Sequence, residues 1–172
     1  MRLKSIGLLA AIAACIVTWP LSAGAQEVIF VVRHSDPPQY LSFDEIQDDT
    51  PLSESGQQRA KMLAERLKDA GITAIYGTQA VRTVETAGPL AKDLGLEVQV
   101  HSYDDTDGLI HLLRSKHGKD RVLVVGHWST IPLILKALGY TQDVEIERSA
   151  YDNLFVVIAN EQGEPTVLHL HY

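Results

Sequence analysis

Short uninterrupted apolar runs alternate along this chain with stretches of helical periodicity. Val28-Ile29-Phe30-Val31-Val32 and Val122-Leu123-Val124-Val125 are rich in branched residues and have no polar alternation, the pattern of strands buried on both faces. Ile72 to Tyr76 and Leu96 to Val100 read as further strands. Asn153 to Ala159 and Pro165 to His171 read as a terminal pair joined through Asn160-Glu161-Gln162-Gly163, a hairpin signal. Helical spacing fills the intervals. One helix runs from Glu54 to Ala70, capped by Ser53 and stopped by Gly71, with Ala60, Leu63, Ala64 and Leu67 on one face. A second runs from Val81 to Leu94 and ends at Gly95, and Gly88-Pro89 should kink or interrupt it. A third spans Asp107 to Lys116 behind the capping loop Asp104-Asp105-Thr106. The last starts at Thr130 as N-cap, takes Pro132 in its first turn and stops at Gly139. This alternation predicts an α/β fold, a three-layer α/β/α sandwich with a mostly parallel central sheet and an antiparallel C-terminal strand pair.

The first 25 residues do not fit that scheme. Arg2 and Lys4 precede an apolar stretch from Ile6 to Val17, and Ala23-Gly24-Ala25 offers small residues for cleavage, so residues 1–25 read as a secretory signal peptide and 26–172 as one domain. The apolar stretch is shorter than the roughly 20 residues of a spanning helix. Ile12-Ala13-Ala14-Cys15 also resembles a lipoprotein processing box, with Cys15 as the lipid anchor. Either way the expected location is the periplasm or the exterior, with no stable membrane span after processing. Cleavage after Ala25 would remove the single cysteine, which excludes disulfide and thiol chemistry from the remainder. The charge of −7 would become −9 on loss of Arg2 and Lys4, which argues against nucleic acid as a partner.

Chemistry gathers where the buried runs end. The first delivers Arg33-His34 and the second Gly126-His127, while Arg82 follows the short strand and opens a helix. In an open α/β sheet the carboxyl ends of the strands face a common crevice, so these residues, distant in sequence, can meet. Two guanidiniums match phosphate oxygens, and a histidine beside them can attack phosphorus. That chemistry calls for no metal and no cofactor. The long polar segment Ser35 to Pro51 is expected to cover or line such a site.

Val31-Val32-Arg33-His34, Leu52 through Gly56 to Ala60, Thr78 through Arg82-Thr83 to Glu85-Thr86-Ala87, and Val124-Val125-Gly126-His127 resemble, in order, the four motifs of the histidine phosphatase superfamily, also called phosphoglycerate mutase-like. The resemblance implies that His34 is the nucleophile, forming a phosphohistidine, and that Arg33, Arg82 and His127 complete the phosphate pocket. A hydrogen bond from the other ring nitrogen of His34 to a backbone carbonyl would fix its tautomer. Phosphomonoester hydrolases of this family take a leaving-group acid from a loop after the second helix, and Asp104 is the first candidate here and Asp105 the second, with helix capping as the other reading for Asp105 or Asp107. Small members acting on phosphohistidine lack that acid.

The chain departs from the family where Ser35-Asp36 replaces Gly and Glu, and where Trp128-Ser129-Thr130 follows the second histidine. Ser35 is a candidate hydroxyl donor to phosphate. Trp128 is a candidate to narrow the pocket or stack on a substrate ring, or else to pack against the loop. His169 and His171 share one face of the last strand and form a satisfied pair or two metal ligands without a third. His101, His111 and His117 are scattered. Tyr151-Asp152-Asn153 reads as a turn bordering the crevice. The expected activity is a metal-independent phosphatase acting on a small phosphorylated substrate or a phosphoprotein. Its rivals are a phosphate-binding protein without turnover and a phosphoglycerate mutase.

Overall fold

The computed structural model describes residues 27–160 and 162–172, so the proposed signal segment and Cys15 lie outside the described residues. Ten regular elements follow in sequence: β1 (Val28–Arg33), α1 (Glu54–Leu67), β2 (Ala74–Thr78), α2 (Val81–Leu94), β3 (Val98–His101), α3 (Thr106–Lys116), β4 (Arg121–Gly126), α4 (Ile131–Ala137), β5 (Asn153–Ile158) and β6 (Thr166–His171). The strands form one sheet in the order β3-β2-β4-β1-β5-β6. The first four are parallel, and β5 and β6 are antiparallel additions.

Burial on both faces explains the continuous apolar runs. Alternate residues of β1 and β4 point to opposite layers. Phe30, Val32, Leu123 and Val125 pack with Leu63, Leu67, Leu90 and Ala91 of α1 and α2. Ile29, Val31, Val122 and Val124 pack with Leu109, Leu113, Ile131 and Ile134 of α3 and α4. The three-layer sandwich is therefore as the patterning predicts.

Several boundaries differ from the sequence reading for identifiable reasons. α2 runs through Pro89 without interruption, because Ala87, Leu90 and Ala91 are buried against the sheet and that packing outweighs one missing backbone bond. β2 begins at Ala74 and extends to Thr78, pairing Thr78 with His101 of β3. α1 stops at Leu67 and the chain turns before Gly71, whose φ of 72° suits glycine. Ser53 caps α1 as expected, its Oγ accepting from Gly56 N at 3.0 Å. Thr130 does not cap α4 with its side chain. It adopts helical dihedrals, and its Oγ1 instead accepts from the backbone N–H of His127 at 3.0 Å.

Candidate active site

Register decides which side chains meet. β1 and β4 run parallel with Val32 opposite Val125 and Arg33 opposite Gly126, so they end together, and His34 N continues the ladder to Gly126 O at 2.9 Å. Both histidines therefore leave the sheet at one edge, with ring centroids 5.1 Å apart at 63°. β2 ends beside them at Thr78, and the first turn of α2 brings Arg82 over the same edge. Arg33, His34, Arg82 and His127 line one cavity of about 360 Å³.

The nucleophile candidate is held in one tautomer. His34 Nδ1 lies 2.8 Å from the carbonyl oxygen of Ser35, which can only accept, so Nδ1 carries the proton and Nε2 the lone pair. Burial pushes the His34 imidazole well below the usual histidine range, and the nearby charges of His127, Arg82 and Arg33 act in the same direction. His127 is driven down to about 3, chiefly by burial and then by the two guanidiniums. Both rings are therefore neutral at physiological pH.

Each polar group is oriented by a specific neighbour. Arg33 is 1% exposed, and one terminal nitrogen donates to the carbonyls of Glu147 (3.2 Å), Arg148 (2.7 Å) and Ala150 (2.9 Å). Its guanidinium also lies 3.8 Å over the ring of Tyr151. Arg82 donates to Gln47 O at 2.9 Å and approaches His127 Nδ1 at 3.4 Å. The Nε groups of both arginines are buried without a protein partner, leaving donors for an anion. His127 Nε2 is 2.9 Å from Thr78 Oγ1, which meets Thr83 Oγ1 at 3.2 Å, and Thr83 Oγ1 in turn donates to Ala80 O at 2.8 Å.

The loop after β1 is buttressed by the segments that resemble the second and third motifs. Ser35 N donates to Thr86 Oγ1 at 2.8 Å, and Leu52 N to Glu85 Oε2 at 2.7 Å. Asp36 takes an ion pair from Arg59 at 2.6 Å, and its carbonyl sits where a Cβ on Gly56 would fall. This gives physical content to the Ser35-Asp36 departure. Asp36 is an anchor, while Ser35 is fully buried and outside the cavity lining, its hydroxyl facing that of Tyr172 without a well-formed bond.

Asp104 does reach the cavity wall, and Asp105 caps α3 by accepting from Gly108 N at 2.8 Å. Trp128 lines the cavity and also packs edge to face on Phe43 at 6.0 Å. His169 stacks on Phe155 at 4.2 Å and binds Asn153 Oδ1 at 2.7 Å, while His171 pairs with Asp152 at 3.1 Å. Among the described residues no group of three or more His, Cys, Asp or Glu could hold a metal, and no helix is long and apolar enough to cross a membrane.

Asp48, Phe43, Tyr103 and Tyr151 also line the cavity, and the sequence reading gave none of them a site role beyond placing Tyr151 in a bordering turn. The length of the 35–51 segment was the signal for the first two. Tyr103 meets His127 edge to face with centroids 4.8 Å apart, and its hydroxyl meets Ser129 Oγ at 2.7 Å.

Comparison with known proteins gives this geometry a context. Residues 29–103 match the sequence profile of the histidine phosphatase superfamily (branch 1). "Probable phosphoglycerate mutase GpmB" of Photorhabdus laumondii is 35% identical over 72 residues, 41% of this chain, and the matched stretch spans only 33% of that protein's length. Among solved structures, the protein histidine phosphatase SixA complexed with tungstate superposes with a TM-score of 0.64 at 17% identity, covering 84% of this chain and 96% of that one. The mycobacterial glucosyl-3-phosphoglycerate phosphatase does so with 0.62 at 16%, covering 84% and 97%. Those two likenesses are of fold. The profile match covers the stretch that carries Arg33, His34 and Arg82, so this chain resembles the histidine phosphatase superfamily in sequence over residues 29–103 and shares the fold of its solved members over 84% of its length.

Proposed function

We propose that the chain is a metal-independent phosphatase that moves a phosphoryl group from a phosphomonoester, or from phosphohistidine, to Nε2 of His34 and then to water. The observation that carries this reading is the 2.8 Å contact between His34 Nδ1 and Ser35 O, which leaves Nε2 unprotonated on a cavity-lining ring. Nε2 attacks phosphorus as the ester P–O bond breaks, and the departing oxygen takes a proton from Asp104. Water then attacks the phosphohistidine, giving up a proton to the Asp104 carboxylate, as the P–N bond breaks, His34 Nε2 regains its lone pair and inorganic phosphate leaves. The guanidiniums of Arg33 and Arg82 stand where charge gathers on the transferring group, with His127 beside them accepting from Arg82 at Nδ1 and so aiming it, and preorganised electrostatics supplies the rate without a metal. Ser35 is dropped as a phosphate donor in this scheme.

The protein should release phosphate from an aryl phosphate in the presence of a chelator and carry acid-labile phosphate after rapid quench, and His34→Ala should do neither. Retained turnover in His34→Ala would overturn the mechanism, and wild-type binding of phosphate without turnover of any ester would favour the binding-protein reading. Asp104→Asn should slow alkyl phosphates at least tenfold more than aryl phosphates, whose better leaving groups need less protonation (about 10²–10⁴-fold is the reach of a general acid). Equal slowing of both would remove Asp104 from the acid role and favour phosphohistidine as substrate.

Export is part of the proposal. It is supported by the basic, apolar and small-residue succession of residues 1–25, and N-terminal sequencing of the protein recovered from cells should begin at Gln26. A lipidated Cys15 at the N-terminus would replace this by membrane anchoring.

A further inference from the structure

Resting on the phosphatase reading, we propose that Arg148 is a specificity residue that reads a carboxylate carried by the leaving group of the phosphoester. Its guanidinium carbon lies 4.6 Å from the ring centroid of Phe43 and 4.6 Å from that of Trp128. Held by the faces of two rings, a flat guanidinium keeps its in-plane N–H edges available. Those donors have no hydrogen-bond or ion-pair partner among the described residues, whereas Arg59, Arg114 and Arg121 spend theirs on Asp36, Ala137 O and Ala70 O.

The position of this cation is tied to the phosphate pocket. The carbonyl of Arg148 accepts from Arg33 at 2.7 Å, so its backbone is fixed relative to the group that clamps phosphate. Phe43 and Trp128 line the catalytic cavity, and Phe43, Ile46 and Tyr151 also line an adjoining groove of about 440 Å³ that Arg148 borders. A leaving group extending from phosphorus past Phe43 and Tyr151 meets Arg148 at the rim.

Charge selects what kind of leaving group fits. The cavity wall already carries Asp48 and Asp104, and the chain is acidic overall, so a second negative group is tolerated only beside a local cation. A guanidinium fork fits carboxylate and phosphate alike, but one guanidinium balances one charge, and a carboxylate carries one where a second phosphate carries close to two, which favours the carboxylate.

The test compares carboxyethyl phosphate with n-propyl phosphate, whose leaving alcohols are alike except for the carboxylate, in wild type and in Arg148→Met. The ratio of kcat/KM for the two esters should fall about tenfold in the variant, mainly through KM, as expected for loss of a charge-assisted hydrogen bond. A ratio that moves less than about twofold would overturn the proposal, the magnitude of an ordinary exposed ion pair. A larger fall for propanediol bisphosphate than for carboxyethyl phosphate would overturn the choice of carboxylate. Wild-type protein that hydrolyses aryl phosphate but neither aliphatic ester would overturn the Arg148 assignment alone, and protein that hydrolyses none would overturn the phosphatase reading with it.

Discussion

The ring of His34 is fastened to its own chain neighbour, Nδ1 donating to the carbonyl of Ser35 at 2.8 Å. That bond fixes the tautomer, and burial keeps the ring unprotonated below the ordinary histidine value of 6.5. The acid-side fall in kcat/KM, after allowance for ionisation of the substrate, should therefore lie below pH 6.5. A limb centred at or above that value would show His34 to be an ordinary solvent-exposed base.

The same burial makes folding pH-dependent. His127 titrates at about 3 when folded and near 6.5 when unfolded, so between these values the unfolded chain binds a proton that the folded chain refuses. Stability from this group is fully present above pH 6.5 and is lost as pH falls, at up to about 1.4 kcal/mol per pH unit. The melting temperature should drop from pH 7 to pH 5, and the drop should be shallower in His127→Asn. A slope unchanged by that substitution would mean His127 titrates normally in the fold.

Thr78 positions His127. With Arg82 approaching Nδ1 at 3.4 Å, the ring offers its lone pair there and its Nε2 proton to Thr78 Oγ1 at 2.9 Å. Thr78→Val leaves that buried N–H unpaired, a loss of about 1–3 kcal/mol, so kcat should fall roughly 10–100-fold. Thr78→Ser should restore most of it, which a merely steric role would not predict. Equal kcat in Thr78→Val and wild type would remove Thr78 from the machinery.

Two helical glycines should respond oppositely to alanine. A methyl on Gly56 would collide with the Asp36 carbonyl, which also accepts from Ser53 N and Oγ, so neither side can yield cheaply. Gly56→Ala should destabilise the fold by about 1–3 kcal/mol in urea titration. Gly88 has nothing within 4 Å of its missing Cβ, and Gly88→Ala should stabilise by about 0.5–1 kcal/mol. Similar effects at both positions would contradict the close approach at Gly56.

The layers and the sheet direction were legible in the sequence because β1 and β4 are buried on both faces, and their apolar runs carry that fact directly. His34 and His127 were legible as partners for the same reason: parallel strands in register must end at one edge. The role of Asp36 was not. Its ion pair to Arg59 spans 23 residues and exists only because α1 lies against the loop through Gly56. Phe43, Tyr103 and Tyr151 were hidden for another reason, since irregular segments carry no periodicity from which a side chain's direction follows. Thr130 and Pro89 misled because local preference was overridden, in one case by the His127 backbone and in the other by packing of α2.

Arg33 and the carbonyls of Glu147, Arg148 and Ala150 are more than 110 residues apart along the chain. Synthesis therefore matters to when the site exists. A nascent chain that has emerged through His127 already contains all four pocket side chains, yet Arg33 has no acceptors to aim it and β1 lacks its antiparallel neighbour β5. Competence arrives only with residues 147–150 and the β5 strand behind them, so a chain halted between residues 128 and 146 would have every reactive group present and no organised anion site.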